Sequence, residues 1–98
     1  MQQTLSPSDR ETALAGLNGW IYDPAADAIS HDFRFTGFSE AFAFMTRIAL
    51  LAERADHHPD IANSYDRVRV TLSTHSAGGL TDRDIALAGA IDGLLHRG

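Results

Sequence analysis

Residues 29–55 read ISHDFRFTGFSEAFAFMTRIALLAERA, and within this stretch the hydrophobic period changes from two to about 3.6. Ile29, His31, Phe33 and Phe35 fall on one face of an extended chain, and Ser30, Asp32 and Arg34 on the other. That alternation predicts a strand with one covered face. Beyond Gly37 the apolar spacing becomes helical. Phe38, Phe42, Met45, Ala49 and Ala52 form a stripe that Phe44, Ile48 and Leu51 widen. Ser39 is placed to cap this helix, which is expected to end near Ala55. A half-covered strand feeding an amphipathic helix is the signature of helices packed on a sheet.

The flanks extend this pattern in both directions. Upstream, Ser6 can cap a helix with Pro7 at its first position and Asp9 at the capping-box spacing. Leu14 and Leu17 would face the core, with Asn18-Gly19 ending the helix. Trp20-Ile21-Tyr22 reads as a strand, joined through the turn from Asp23-Pro24 to Asp27 in a hairpin with residues 29–35. Downstream, Pro59 forbids continuation of the long helix and holds His58 out of it. Residues 60–64 suit a short strand and residues 67–73 a stronger one, with Val68, Val70 and Leu72 inward. A turn over residues 74–79 follows. Thr81 then caps the last helix, with Asp84 at the capping-box position and Ile85, Ala88, Ile91 and Leu95 on its apolar face. The order α-β-β-α-β-β-α predicts an α+β fold: an antiparallel four-stranded sheet with three helices on one face.

Composition narrows the function classes. The chain has 98 residues, sized for one domain over residues 1–98, and 44% of them are hydrophobic. With no cysteine, neither a disulfide nor a thiolate metal site is expected. Eight basic against thirteen acidic residues give a net charge of -5, which argues against nucleic acid as a direct partner. Residues 1–10 carry no apolar run of the signal-peptide kind, and the most apolar segment is broken by Thr46 and Arg47. A cytoplasmic protein with no membrane association is expected. Phe42, Phe44, Met45, Ile48, Leu50 and Leu51 cover more of the long helix than one sheet can bury, so a homodimer or homotetramer is expected as well.

Chemistry concentrates at the ends of elements. His57 and His58 follow the long helix, His75 follows the last strand, and Asp84 lies in the first turn of the last helix. Loops anchored on rigid elements commonly carry catalytic groups, and imidazoles suit acid–base work near neutrality. Each has a plainer reading: His57 and His58 as solvated loop residues, His75 as a turn residue, Asp84 as a helix cap. His31, mid-strand, and His96, in the terminal turn, are given no catalytic role. Three histidines and an aspartate form a conceivable zinc set, but adjacent turn residues point apart and no His-x-x-x-His spacing supports a cage. No metal is expected. There is no nucleophile elbow, and Gly78-Gly79 lacks the lysine and spacing of a phosphate loop.

Asp56-His57-His58-Pro59, Tyr65, Val68, Val70-Thr71-Leu72-Ser73-Thr74-His75, Gly79-Leu80-Thr81 and Asp84 together resemble the pterin-4a-carbinolamine dehydratase signature. Gly19-Trp20 and the segment from Phe42 to Ala49 are similar to that family's first strand and central helix, so the likeness runs from about Gly19 to Ile91. One departure is Asp60-Ile61 where members often carry Glu-Trp after His-His-Pro: the acid is kept in type and the large aromatic is absent.

The resemblance implies a saddle-shaped α+β fold that pairs into dimers able to join as tetramers. It implies elimination of water from 4a-hydroxytetrahydrobiopterin to give quinonoid dihydropterin, recycling the tetrahydrobiopterin used by an aromatic amino acid hydroxylase. His57, His58, His75 and Asp84 match the family's catalytic set. His57, His58, Pro59, Thr74, His75, Ser76 and Ala77 match the segments that contact the pterin. No cofactor is implied, because the pterin is the substrate. The alternative that the resemblance carries is an interaction module acting as dimerisation cofactor of a transcription factor.

Overall fold

A computed structural model describes residues 3–95. Its elements are α1 (Pro7–Ala15), β1 (Ile21–Asp23), β2 (Ala28–Arg34), α2 (Phe38–Ala55), β3 (Asp60–Ser64), β4 (Arg67–Leu72), a 3-10 turn (His75–Ala77) and α3 (Asp82–Leu95). The four strands form one antiparallel sheet in the order β1-β2-β4-β3. This is the α+β arrangement expected from the sequence.

Register decides which side chains are buried. Ile29 pairs with Leu72, His31 with Val70 and Phe33 with Val68, so these residues share the face beneath the helices. The other face carries cross-strand Asp32 and Arg69, joined by two hydrogen bonds of 2.8 and 3.1 Å. The core is the seam between sheet and helices: Ile29, Phe33, Val68, Val70 and Leu72 from the sheet meet Ala41, Phe44 and Ile48 of α2 and Leu87, Ala88 and Ile91 of α3. Ile48 is fully buried, and truncating such a side chain to alanine costs about 2–5 kcal/mol. α1 lies against the same face, where Leu14 packs on the core and Arg10 stacks over Tyr22.

Several expected boundaries move. α1 stops at Ala15, and the Gly16 and Leu17 N–H groups turn back to Ala13 and Leu14 in a tightened last turn. Gly19 serves the entry to β1 instead: its φ is 83°, and a Cβ there would lie 2.5 Å from His31 Nε2. Ser39 does not cap α2. Gly37 holds that position without a side-chain bond, and Glu40 Oε1 accepts from the Thr36 N–H. β2 ends at Arg34, although Phe35 still donates its N–H to Asp66 O.

The core stripe of α2 is rotated from the expected one. Ala41, Phe44, Ile48 and Ala52 are buried, whereas Phe38, Phe42 and Ala49 are exposed. In α3, Leu87 takes the buried place expected for Leu95, which is exposed. The position of His96 lies outside the described residues. Among the described residues, no helix is long and apolar enough to cross a membrane.

Candidate active site

α2 ends in a motif that turns the chain inward. Asp56 adopts the left-handed conformation (φ 51°, ψ 45°), its N–H bonds Glu53 O, and the His57 N–H bonds Ala52 O. These two bonds define a Schellman end, usually closed by glycine. A residue with a Cβ adopts this conformation at a cost of about 1 kcal/mol. The turn delivers His57 into the protein, where it is buried, and leaves the next residue, His58, exposed.

His57 Nε2 lies 2.5 Å from Asp84 Oδ1. Asp84 has no exposed surface, so its carboxylate needs internal partners. It has them: Oδ2 accepts from Thr74 Oγ1 (2.8 Å) and from the Thr81 N–H (2.9 Å). Thr81 Oγ1 in turn accepts from the Arg83 N–H (3.2 Å) and lies 2.7 Å from Thr74 Oγ1. Asp84 thus makes its half of the capping box expected from the sequence, while the Thr81 hydroxyl caps through the Arg83 N–H and the Asp84 N–H bonds the Thr81 carbonyl. The same carboxylate caps α3 and holds the imidazole, so the two readings of Asp84 are both true of it. With Nε2 engaged, Nδ1 is the ring nitrogen of His57 left to exchange a proton with a ligand.

His58 Nε2 lies 2.5 Å from Glu53 Oε2 on the last turn of α2. His75 opens the 3-10 turn after β4, is exposed, and is held by the Thr74–Gly79 bridge; Gly78 closes the turn with φ 81°. These groups line one cleft of about 260 Å³. Its walls are Asp56, His57 and His58 from the end of α2, Ser73, Thr74, His75 and Ser76 from the end of β4, and Arg83 from α3. The Arg83 guanidinium donates to the carbonyls of Ala55 (3.2 Å) and Asp56 (2.5 Å), tying the two helices together.

The histidines and aspartate selected from the sequence therefore converge. Thr74 lines the cleft, but its hydroxyl is turned to Asp84 and Thr81; Pro59 and Ala77 are neighbours in the chain outside the lining. Glu53, Asp56, Ser73 and Arg83 were not anticipated as site residues. Only Glu53 had a signal, since the macrodipole disfavours a carboxylate in a helix's last turn. A larger cavity of about 480 Å³ lies on the open sheet face among Asp32, Arg34, Arg67 and Arg69, where no imidazole is present. Proton-transfer chemistry places the candidate site at the histidines. Among the described residues, no three His, Asp or Glu side chains converge as a metal-ligand group.

Known proteins resemble this chain along nearly its whole length. Residues 3–94 match the family model described as pterin 4 alpha carbinolamine dehydratase. A Rhizorhabdus wittichii protein named "Putative pterin-4-alpha-carbinolamine dehydratase" is 52% identical over 92 residues, covering 94% of this chain and 95% of the relative. A Paraburkholderia xenovorans protein of the same name is 49% identical, covering 96% and 98%. A Brucella melitensis crystal structure described as a transcriptional coactivator/pterin dehydratase superposes with TM-score 0.90 at 43% identity, covering 94% of this chain and 98% of that one. A pterin dehydratase-like RuBisCO assembly factor of the alpha-carboxysome shares the fold, with TM-score 0.69 at 23% identity over 83% of this chain and 94% of that one.

Proposed function

The chain belongs to the pterin 4 alpha carbinolamine dehydratase family, and on that premise we propose that it eliminates water from 4a-hydroxytetrahydrobiopterin by histidine acid–base catalysis. The C4a–O bond breaks as an imidazolium delivers a proton to the hydroxyl, which leaves as water. A neutral imidazole takes the N5 proton, and the N5 electron pair forms the C4a=N5 bond of the quinonoid dihydropterin. His57, His58 and His75 supply these groups, and Asp84 fixes the ring of His57. Pro59, Thr74, Ser76 and Ala77 complete the ring-binding segments. The observation that carries this reading is the buried His57–Asp84 pair at 2.5 Å, opening on the cleft that exposed His58 and His75 share.

The pterin is the substrate, so no further cofactor enters. The reaction restores the pterin consumed by an aromatic amino acid hydroxylase, in the cytoplasm. The protein works as a homodimer or homotetramer, because Phe38, Phe42 and Leu50 of α2 are 48%, 55% and 66% exposed, a surface that a second copy would cover. That same surface favours a second reading, a dimerisation cofactor of a transcription factor, and the Brucella neighbour's description as a coactivator points the same way. The two separate in a crystal soaked with a reduced pterin. The dehydratase reading expects the ring among the three histidines; a cleft that stays empty at saturating pterin would contradict it.

A further inference from the structure

A second cleft of about 290 Å³ shares Ser73 and His75 with the histidine cleft and contains none of the other histidines. The two clefts, about 290 and 260 Å³, adjoin at that common wall. Its lining is small: Ala26, Ala28, Gly78 and Gly79 put no bulk into it. At Gly79 this smallness is imposed, since a Cβ would collide with the carboxylate of Asp27. That carboxylate is itself fixed, accepting from the Tyr22 hydroxyl at 2.7 Å. The polar groups of the cleft include Asp60, which opens β3, and its cross-strand partner Thr71.

Resting on the dehydratase reading, we propose that this second cleft receives the substituent on C6 of the pterin, and that Asp60 makes it prefer neutral, hydroxyl-bearing substituents over carboxylated ones. The chemistry of the ring supplies the connection. C6 is bonded directly to N5, the atom that loses its proton, so a histidine working at N5 has the C6 substituent beside it. His75 is the histidine that lines both clefts. A hydroxyl on a short side chain would donate to the Asp60 carboxylate, a charge-assisted hydrogen bond. An acidic tail would meet Asp60 with Asp27 close behind the wall.

The test is calorimetric binding of stable 7,8-dihydropterins that differ only at C6: dihydroxypropyl, methyl and p-aminobenzoylglutamyl. The intact protein is expected to bind the dihydroxypropyl compound roughly tenfold tighter than the methyl one, and the carboxylated one more weakly still. Asp60→Asn is expected to bring the dihydroxypropyl-to-methyl ratio to about twofold or less and to improve the relative binding of the carboxylated compound. Ala26→Phe, which fills the cleft from the β1–β2 turn, is expected to lower the same ratio at least about tenfold. An unchanged ratio in both variants would overturn the assignment while leaving the dehydratase reading intact. Failure of the wild-type protein to bind any of the three would overturn both.

Discussion

His57 and Asp84 meet at 2.5 Å inside the protein, the imidazole from the residue just past the C-terminal cap of α2 and the carboxylate from the first turn of α3. One contact therefore joins two helix ends and orients a candidate catalytic ring. Asp84 Oδ2 is held by the Thr74 hydroxyl and the Thr81 N–H, so the carboxylate cannot turn away from His57 without losing two other bonds.

Asp84→Asn tests that coupling. The amide keeps the shape but sets an N–H against one of the present donors, leaving a buried polar group unsatisfied. Stability is expected to fall by about 1–3 kcal/mol. Because His57 loses its orientation, kcat is expected to fall at least about tenfold with a smaller change in KM. Denaturant unfolding and steady-state dehydration kinetics check this, and an unchanged kcat would remove Asp84 from the mechanism.

Metal removal is expected to be silent. Both proton transfers lie within reach of imidazole chemistry, so dialysis against a strong chelator should leave the dehydration rate unaltered. Activity that disappears on chelation and returns with zinc would show a metal-dependent site instead.

The exposed strip of α2 predicts assembly. Phe42→Glu or Leu50→Glu is expected to shift the protein toward the monomer in light scattering, since each would set a charge in a buried apolar contact. Leu51, half-buried against the core, is the less informative position, because a charge there would disturb the fold itself. A wild-type protein that scatters as one chain at micromolar concentration would contradict the prediction.

Acid sensitivity is expected from His31. Its ring packs between Trp20 and Phe33, its buried Nδ1 has no hydrogen-bond partner, and the nearest carboxylate oxygen, on Asp92, is 3.9 Å away. Burial pushes the imidazole below its ordinary 6.5, outweighing the opposing pull of Asp92 and Asp32. A depressed histidine stays neutral in the folded protein while the unfolded chain takes up a proton. Its contribution is therefore complete above about 6.5 and is lost as pH falls toward the lower folded value. Urea midpoints at pH 7.5 and 5.5 should show a larger loss for the wild type than for His31→Gln. Equal losses would show that His31 does not titrate in this way.

The order of elements and the inward face of β4 were legible in the sequence because period-two alternation and capping residues act locally. The buried face of α2 was not. Apolar residues cover so much of that helix that spacing alone cannot choose between Phe38-Phe42-Ala49 and Ala41-Phe44-Ile48, and the sheet selects the second, with the small Ala41 placed flat against the core. The three histidines and Asp84 were legible as a motif. Of their partners, Glu53 carried a signal only through its place in the last turn of α2, five residues before His58, and Arg83 carried none, because a guanidinium reaching the carbonyls at the end of another helix is set by tertiary packing.

The most direct measurement is the rate at which chemically generated 4a-hydroxytetrahydrobiopterin loses water in the presence of the wild-type protein, His58→Ala and His75→Ala. Both side chains are exposed, so their removal should leave the thermal midpoint nearly unchanged and makes the kinetics interpretable. The wild type is expected to accelerate dehydration in proportion to its concentration, and each variant to lose roughly 10²-fold of that acceleration, the scale of a missing acid or base. A wild-type rate equal to the buffer rate, or folded variants that both retain full activity, would contradict the assignment of this cleft as the site of pterin dehydration.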